Sequence, residues 1–330
     1  MGSQSAPVPL VMGATSVHSK GNFNSNETLI PLLHTLLEHG INTIDTAQLY
    51  GGGESEIYLG KGRVADLGFK LDTKAPGVFI PDTLEPSRLE SDLRKSLERL
   101  GVKSLDVFYI HSPDPKYPIA QTLEVLDRLH KEGLFARLGL SNFTVEGLRE
   151  ACDVAAEKGL IAPAVFQGNY SAIARHAEDG LIPLLRERGI AFYAYSPLAG
   201  GFLAKRNEAE LFGAETGGRF AKGGKDSLPM YQNLYSNRPK LVGALKTWAS
   251  IADEEGCECP AELGYRWAAW NGALKAELGD KMCIGASKVE TVPQVVGWIR
   301  KGPLSEKTVK AIDAMWEQVK DEAPRDNLRG

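Results

Sequence analysis

Three runs between Ile41 and His111 decide the fold: I-N-T-I-D-T (41–46), F-K-L-D-T-K (69–74) and L-D-V-F-Y-I-H (105–111). Each is short and rich in branched or aromatic side chains, which suit a pleated, half-buried strand. Each also carries an ionisable residue at or beside its carboxyl end: Asp45, Lys74 and His111. The segments between and around them have helical spacing and punctuation. The run 85–100 stops at Gly101, Asn26 caps a run that stops at Gly40, and Thr144 caps one that ends at Gly159. The alternation continues outward, with strands predicted at 8–12, 137–140, 164–167, 190–195 and 282–286 and further helices at 240–255, 261–276 and 305–321.

Eight strands alternating with helices fit a closed parallel (β/α)8 barrel. An open doubly wound sheet would carry a glycine-rich phosphate turn after an early strand, and no G-x-G-x-x-G follows one here. The 330 residues suffice for one barrel with additions, and no linker marks a second domain, so residues 1–330 read as a single barrel. The rhythm breaks only at 199–237, a Gly-rich and polar stretch with Phe202, Phe212, Phe220, Met230, Tyr231 and Tyr235. A loop of that length is expected to cover the active-site mouth.

Composition narrows the function. Thirty-eight basic and 42 acidic residues leave a net charge of -4, with no long single-sign run, so neither nucleic acid nor membrane is an expected partner. Cys152, Cys257, Cys259 and Cys283 are too few and too scattered for a disulfide framework or a zinc site. No metal is expected. Residues 1–10 lack the pattern of a secretory leader, and no apolar stretch approaches ~20 residues, so a reducing cytoplasmic compartment is expected.

In a barrel of this kind the chemistry gathers at the carboxyl ends of the strands. Asp45, Lys74 and His111 stand there, with Tyr50 in the loop just after Asp45. Singly, Asp45 reads as a cap, Lys74 as a surface charge, Tyr50 as loop packing and His111 as a satisfied core group. Together they form a proton-transfer unit. An ammonium beside a phenol lowers its pKa from ~10, a carboxylate fixes the ammonium, and a neutral imidazole orients a carbonyl.

These motifs resemble those of aldo-keto reductases, most closely the aflatoxin-aldehyde and succinic-semialdehyde reductase branch, over nearly the whole chain. D-T-A-Q-L-Y (45–50) is similar to the family's D-T-A-x-x-Y, and G-G-G-E-S-E-I-Y-L-G (51–60) to the helix that follows it in that branch. The resemblance implies a catalytic tetrad of Asp45, Tyr50, Lys74 and His111, with Tyr50 as acid/base, and a bound NADPH in preference to NADH. It assigns the nicotinamide carboxamide to Ser141, Asn142 and Gln167, and ring stacking to Tyr195. Gly13, Thr15, Asp45, Ser196, Leu198 and Gly200 become further cofactor contacts. I-G-A-S-K-V-E-T-V-P-Q-V (284–295) resembles the segment that grips the 2′-phosphate at a helix start, which implicates Gly285, Ser287, Lys288, Thr291 and Gln294.

The chain departs from the pattern at Thr291, where many relatives have arginine, and at Val295, where they have asparagine; Lys288 offers a compensating charge. The branch's basic loop residues are replaced within M-Y-Q-N-L-Y (230–235). A larger, apolar or aromatic aldehyde or ketone is therefore expected as substrate, with Arg219 and Arg329 either reaching the mouth or standing as solvated charges. Two other functions stay open: a Schiff-base aldolase with Lys74 as nucleophile, and a nucleotide-binding regulatory subunit with little turnover. The oligomeric state is not legible in one sequence.

Overall fold

A computed structural model describes residues 6–213, 215, 218–221 and 228–329. The first five residues and parts of the 199–237 loop lie outside the described residues. Eight parallel strands close into a barrel in chain order: β1 (Leu10–Gly13), β2 (Thr43–Asp45), β3 (Lys70–Ala75), β4 (Leu105–Ile110), β5 (Phe135–Ser141), β6 (Pro163–Asn169), β7 (Ala191–Tyr195) and β8 (Lys281–Ile284). All eight expected strands are present, with ends shifted by a few residues. Closure removes sheet edges, since β8 pairs back onto β1 with Met12 opposite Ile284.

The helices are α1 (Asn26–Glu38), α2 (Glu54–Lys61), α3 (Pro86–Leu100), α4 (Ile119–Lys131), α5 (Val145–Lys158), α6 (Leu181–Arg188), α7 (Glu208–Phe212), α8 (Pro229–Tyr231), α9 (Pro239–Glu254), α10 (Pro260–Arg266), α11 (Thr291–Arg300) and α12 (Glu306–Val319). In α3, Glu85 accepts a hydrogen bond from the Arg88 amide at 2.9 Å, and Pro86 occupies the first turn. Gly101 ends the helix at φ +69°, a conformation that favours glycine. Leu89, Leu93, Leu97 and Leu100 form its buried stripe.

Two boundaries correct the sequence reading. Ser25, not Asn26, is the residue before α1, and its amide donates to Thr28 Oγ1 at 3.3 Å. The expected helix at 261–276 ends early, because α10 passes into one widened turn, Trp267–Asn271. The chain leaves that turn at Gly272, where a Cβ would lie 2.9 Å from the Tyr170 ring.

The main core lies between strands and helices, with Trp248 and Trp267 fully buried in it. The apolar cluster inside the barrel is small: Val11, Val107, Tyr109, Val165, Ala191, Tyr193 and Cys283. Residues two apart on a strand share a face. Asp72 and Lys74 on β3 therefore point the same way, and both are fully buried. The four cysteines are free thiols. Among the described residues no helix is long and apolar enough to cross a membrane, and no three His, Cys, Asp or Glu could hold a metal ion.

Candidate active site

Strand ends bring the four expected residues together. Asp45 is the last residue of β2, Lys74 is next to last in β3, and His111 follows β4 directly. Lys74 Nζ donates to Asp45 Oδ2 at 2.5 Å and to the Thr46 carbonyl at 2.8 Å. Gln167 Nε2 donates to the other carboxylate oxygen, Asp45 Oδ1, at 3.0 Å. Both oxygens of Asp45 are thus held. Tyr50 opens a turn whose Gly51 and Gly52 both have positive φ, and Gly51 packs so closely on His18 that a Cβ would lie 2.6 Å from it. The Tyr50 ring lies 5.2 Å from Lys74 Nζ and meets the His111 ring edge-on at 6.0 Å between centroids.

The electrostatics differ from the sequence expectation at Tyr50. Loss of water pushes its pKa up to about 12; Lys74 works downward and Asp45 upward, and the net is a weaker acid than free phenol. Burial also opposes the charge on Lys74, yet Asp45 and Tyr50 outweigh it and raise the lysine pKa. Burial, aided by the Lys74 charge, holds His111 well below its ordinary value, so the imidazole is neutral. Its Nδ1 is buried without a partner among the described residues. An N–H there would have no acceptor, so we assign the proton to Nε2.

Polar groups continue around the strand ends. Asn142, at φ +58°, donates through Nδ2 to the His111 carbonyl at 2.8 Å and to Ser141 Oγ at 3.2 Å. Its Oδ1 accepts the Tyr195 hydroxyl at 3.0 Å. Ser141, Asn142 and Tyr195 therefore stand with the His111 carbonyl in one linked cluster, while Gln167 joins Asp45. Ser196 has φ +58° and Gly200 φ +69°. Leu198 packs against α10, where a Cβ on Gly264 would lie 2.6 Å from its methyl. Ser16, one residue beyond Thr15, bonds the Ala286 carbonyl at 2.9 Å and ties the loop after Gly13 to the one after β8.

At the start of α11, Gly285, Ser287, Lys288 and Gln294 are exposed and Thr291 is half-buried. The Thr291 and Val292 amides already bond the Lys288 and Val289 carbonyls at 3.2 and 3.1 Å, and Pro293 has no amide hydrogen. Less of the expected anion-binding amide array is therefore left than the sequence implied. Val295 is fully buried and offers the surface nothing.

The Aldo/keto reductase family model matches residues 9–317. The chain belongs to that family. An oxidoreductase from Leptosphaeria maculans, sirO, is 37% identical over 298 residues, covering 90% of this chain and 88% of its own. The human aldo-keto reductase family 7 member A3 is 35% identical over 90% of this chain and 91% of its own. Human aflatoxin B1 aldehyde reductase member 4 is 34% identical over the same shares. The protein is thus an NAD(P)H-dependent oxidoreductase on a (β/α)8 barrel, of a family whose substrates are small carbonyl compounds.

Sequence reasoning missed Phe79 and Asn327 near this reductase site and did not give the contacts of Tyr231 and Arg329. Phe79 stands edge-on to His111 at 5.1 Å, set by a turn at Gly77, where a Cβ would lie 1.9 Å from the Ser112 carbonyl. Tyr231 lies against Gly200, where a Cβ would fall 2.2 Å from its ring. From the carboxyl-terminal segment, the Asn327 amide donates to the Tyr195 hydroxyl at 3.2 Å and Arg329 to the Asn142 carbonyl at 3.0 Å. No local sequence signal marks such remote contacts, apart from Gly77 and Gly200 themselves.

Proposed function

We propose that this protein reduces an aldehyde or ketone to an alcohol with NADPH, using Tyr50 as the proton donor. The observation that carries the reading is the buried Lys74–Asp45 pair beside Tyr50, with neutral His111 facing the same phenol. When bound, the reduced nicotinamide supplies hydride to the carbonyl carbon. His111 Nε2–H orients the carbonyl oxygen, and Tyr50 Oη gives that oxygen its proton. Lys74 stabilises the phenolate that remains, and Asp45 keeps the ammonium in place.

The donor set fits the nucleotide. Ser141, Asn142 and Gln167 offer amide and hydroxyl groups for a carboxamide, Tyr195 a ring beside them, and Lys288 with Ser287 an exposed cation and hydroxyl for a 2′-phosphate. That cation favours NADPH over NADH. Fluorescence titration with both nucleotides tests the choice; equal affinity, or no change on Lys288→Ala, refutes it. A Schiff-base aldolase is disfavoured because Lys74 is held as an ammonium, whereas that chemistry needs the free amine.

An uncharged, apolar carbonyl compound is the substrate class we propose. Arg329 is bound to Asp326, with its Nε at 2.8 Å from Oδ2, and Arg219 lies 4.8 Å over the Tyr231 ring. Leu228, Met230 and Val78 are exposed apolar side chains. We also read the chain as one barrel domain in which the described part of the 199–237 segment covers the mouth through Tyr231, in a reducing, cytoplasmic setting that fits its free thiols. A carbonyl panel in which short carboxylated aldehydes give the highest kcat/KM refutes the substrate class.

A further inference from the structure

The Lys74 ammonium has three N–H donors, of which Asp45 and the Thr46 carbonyl take two. Two aromatic rings stand close to it. Tyr50 is 5.2 Å from Nζ to its centroid, and Tyr109 is 5.5 Å. Tyr109 is the register partner of Lys74 across β3–β4, is fully buried, and has a hydroxyl without a partner among the described residues. A buried phenol that makes no hydrogen bond contributes its ring, not its oxygen. The ring's place is set from the other side: Gly139 is its partner across β4–β5, and a Cβ there would lie 2.1 Å from Tyr109 Cδ1 and 2.4 Å from Cε1. Any larger residue at 139 would push the ring off the barrel wall.

We propose that Tyr109 is a positioning residue for proton transfer: with Tyr50 it cages the Lys74 ammonium between two rings, and Gly139 is the cut-out that lets its ring reach that place. A ring face attracts a cation most where water is absent. Lys74 is fully buried, so the cage keeps the charge beside Tyr50 rather than leaving it wholly to Asp45. The function assigned to the cage rests on Tyr50 being the proton donor. The ionisable groups facing Tyr109 are Asp72, Asp45, Tyr193 and Cys283, together with Lys74 itself.

The test uses protein with isotope-labelled lysine and reads the Lys74 ε-methylene proton shift, assigned by its absence in Lys74→Met. Ring currents move that signal upfield in the wild type. Tyr109→Phe, which keeps the ring, retains the upfield signal, kcat and the pH profile of alcohol oxidation. Tyr109→Leu moves the signal toward that of free lysine, lowers kcat about tenfold or more, and shifts the alkaline rise of alcohol oxidation to higher pH, with the KM for nucleotide unchanged. Gly139→Ala gives the same reading by displacing the ring, should Tyr109→Leu not fold. The proposal is overturned if Tyr109→Leu keeps both signal and kcat, or if Tyr109→Phe loses as much as Tyr109→Leu. Failure of the reductase reading is separately visible: the wild type would then turn over no carbonyl, while the lysine signal would still report on the cage.

Discussion

Tyr50 is a weak acid in this site, and that sets the pH behaviour. With a phenol pushed up to about 12 and an imidazole pushed well below its usual value, neither group changes charge across the neutral range. Carbonyl reduction is therefore expected to show a flat kcat/KM through the ordinary histidine range near pH ~6.5, and alcohol oxidation to rise with pH as the base form appears. An inflection in reduction near that pH, lost in His111→Asn, would contradict the assignment. Lys74→Met leaves Asp45 buried with only Gln167 as its side-chain partner, so urea unfolding should register a loss of roughly 3 kcal/mol. The strand-end positions of Asp45, Lys74 and His111 were legible because a strand's period of two and the barrel's functional face fix where such side chains stand, and Tyr50 follows in the turn after β2. The balance at Tyr50 was not legible: the lysine's downward effect can be read from the sequence, but desolvation depends on walls that distant segments build.

At the scale of elements, strands and capped helices were read well because their signals are local. Glu85 with Pro86 and Gly101 bracket α3, and Thr144 with Gly159 bracket α5. The 199–237 segment carries fewer local signals. Phe202, Phe220 and Tyr235 pack on one another, with centroids 5.6 to 6.4 Å apart, and are buried, so they anchor the segment instead of facing substrate. Periodicity cannot separate an aromatic that holds a loop from one that lines a mouth. Gly200 carries both a positive φ and the Tyr231 ring, so Gly200→Ala should cost about 1–2 kcal/mol in thermal unfolding and raise the KM for the carbonyl as Tyr231 moves. The carboxyl-terminal segment supplies a substrate test. Asp326→Ala releases Arg329, and kcat/KM for a carboxylated aldehyde should rise relative to an uncharged one of equal size; an unchanged ratio contradicts the role given to Asp326.

Seen whole, the molecule is a barrel whose interior buries Asp45, Asp72 and Lys74, and stability must answer for it. Asp72 is fully buried, accepts one bond from the Val107 amide at 3.1 Å, and its Oδ2 has no partner among the described residues. Burial, with Asp45 and Asp106 nearby, raises its pKa well above the carboxylate range. The folded protein therefore keeps a proton there that the unfolded chain loses above pH ~4, so this group's contribution falls as pH rises. Asp72→Asn should stabilise the fold by at least about 1 kcal/mol at pH 8 and by almost nothing at pH 3, measured by denaturant unfolding at both values. His111 acts in the opposite sense, since its lowered pKa withdraws stability as pH falls below ~6.5. Eight strands and their order were legible from alternation alone, whereas a buried acid without a cation partner was not, because D-T-K reads the same whether its aspartate faces water or core. The most direct test of the central claim is NADPH oxidation by wild type and Tyr50→Phe against a carbonyl substrate found by panel, with nucleotide affinity measured for both. The account predicts that turnover falls by ~10² or more while NADPH binding stays intact. A Tyr50→Phe protein that keeps wild-type turnover would show that the proton comes from elsewhere.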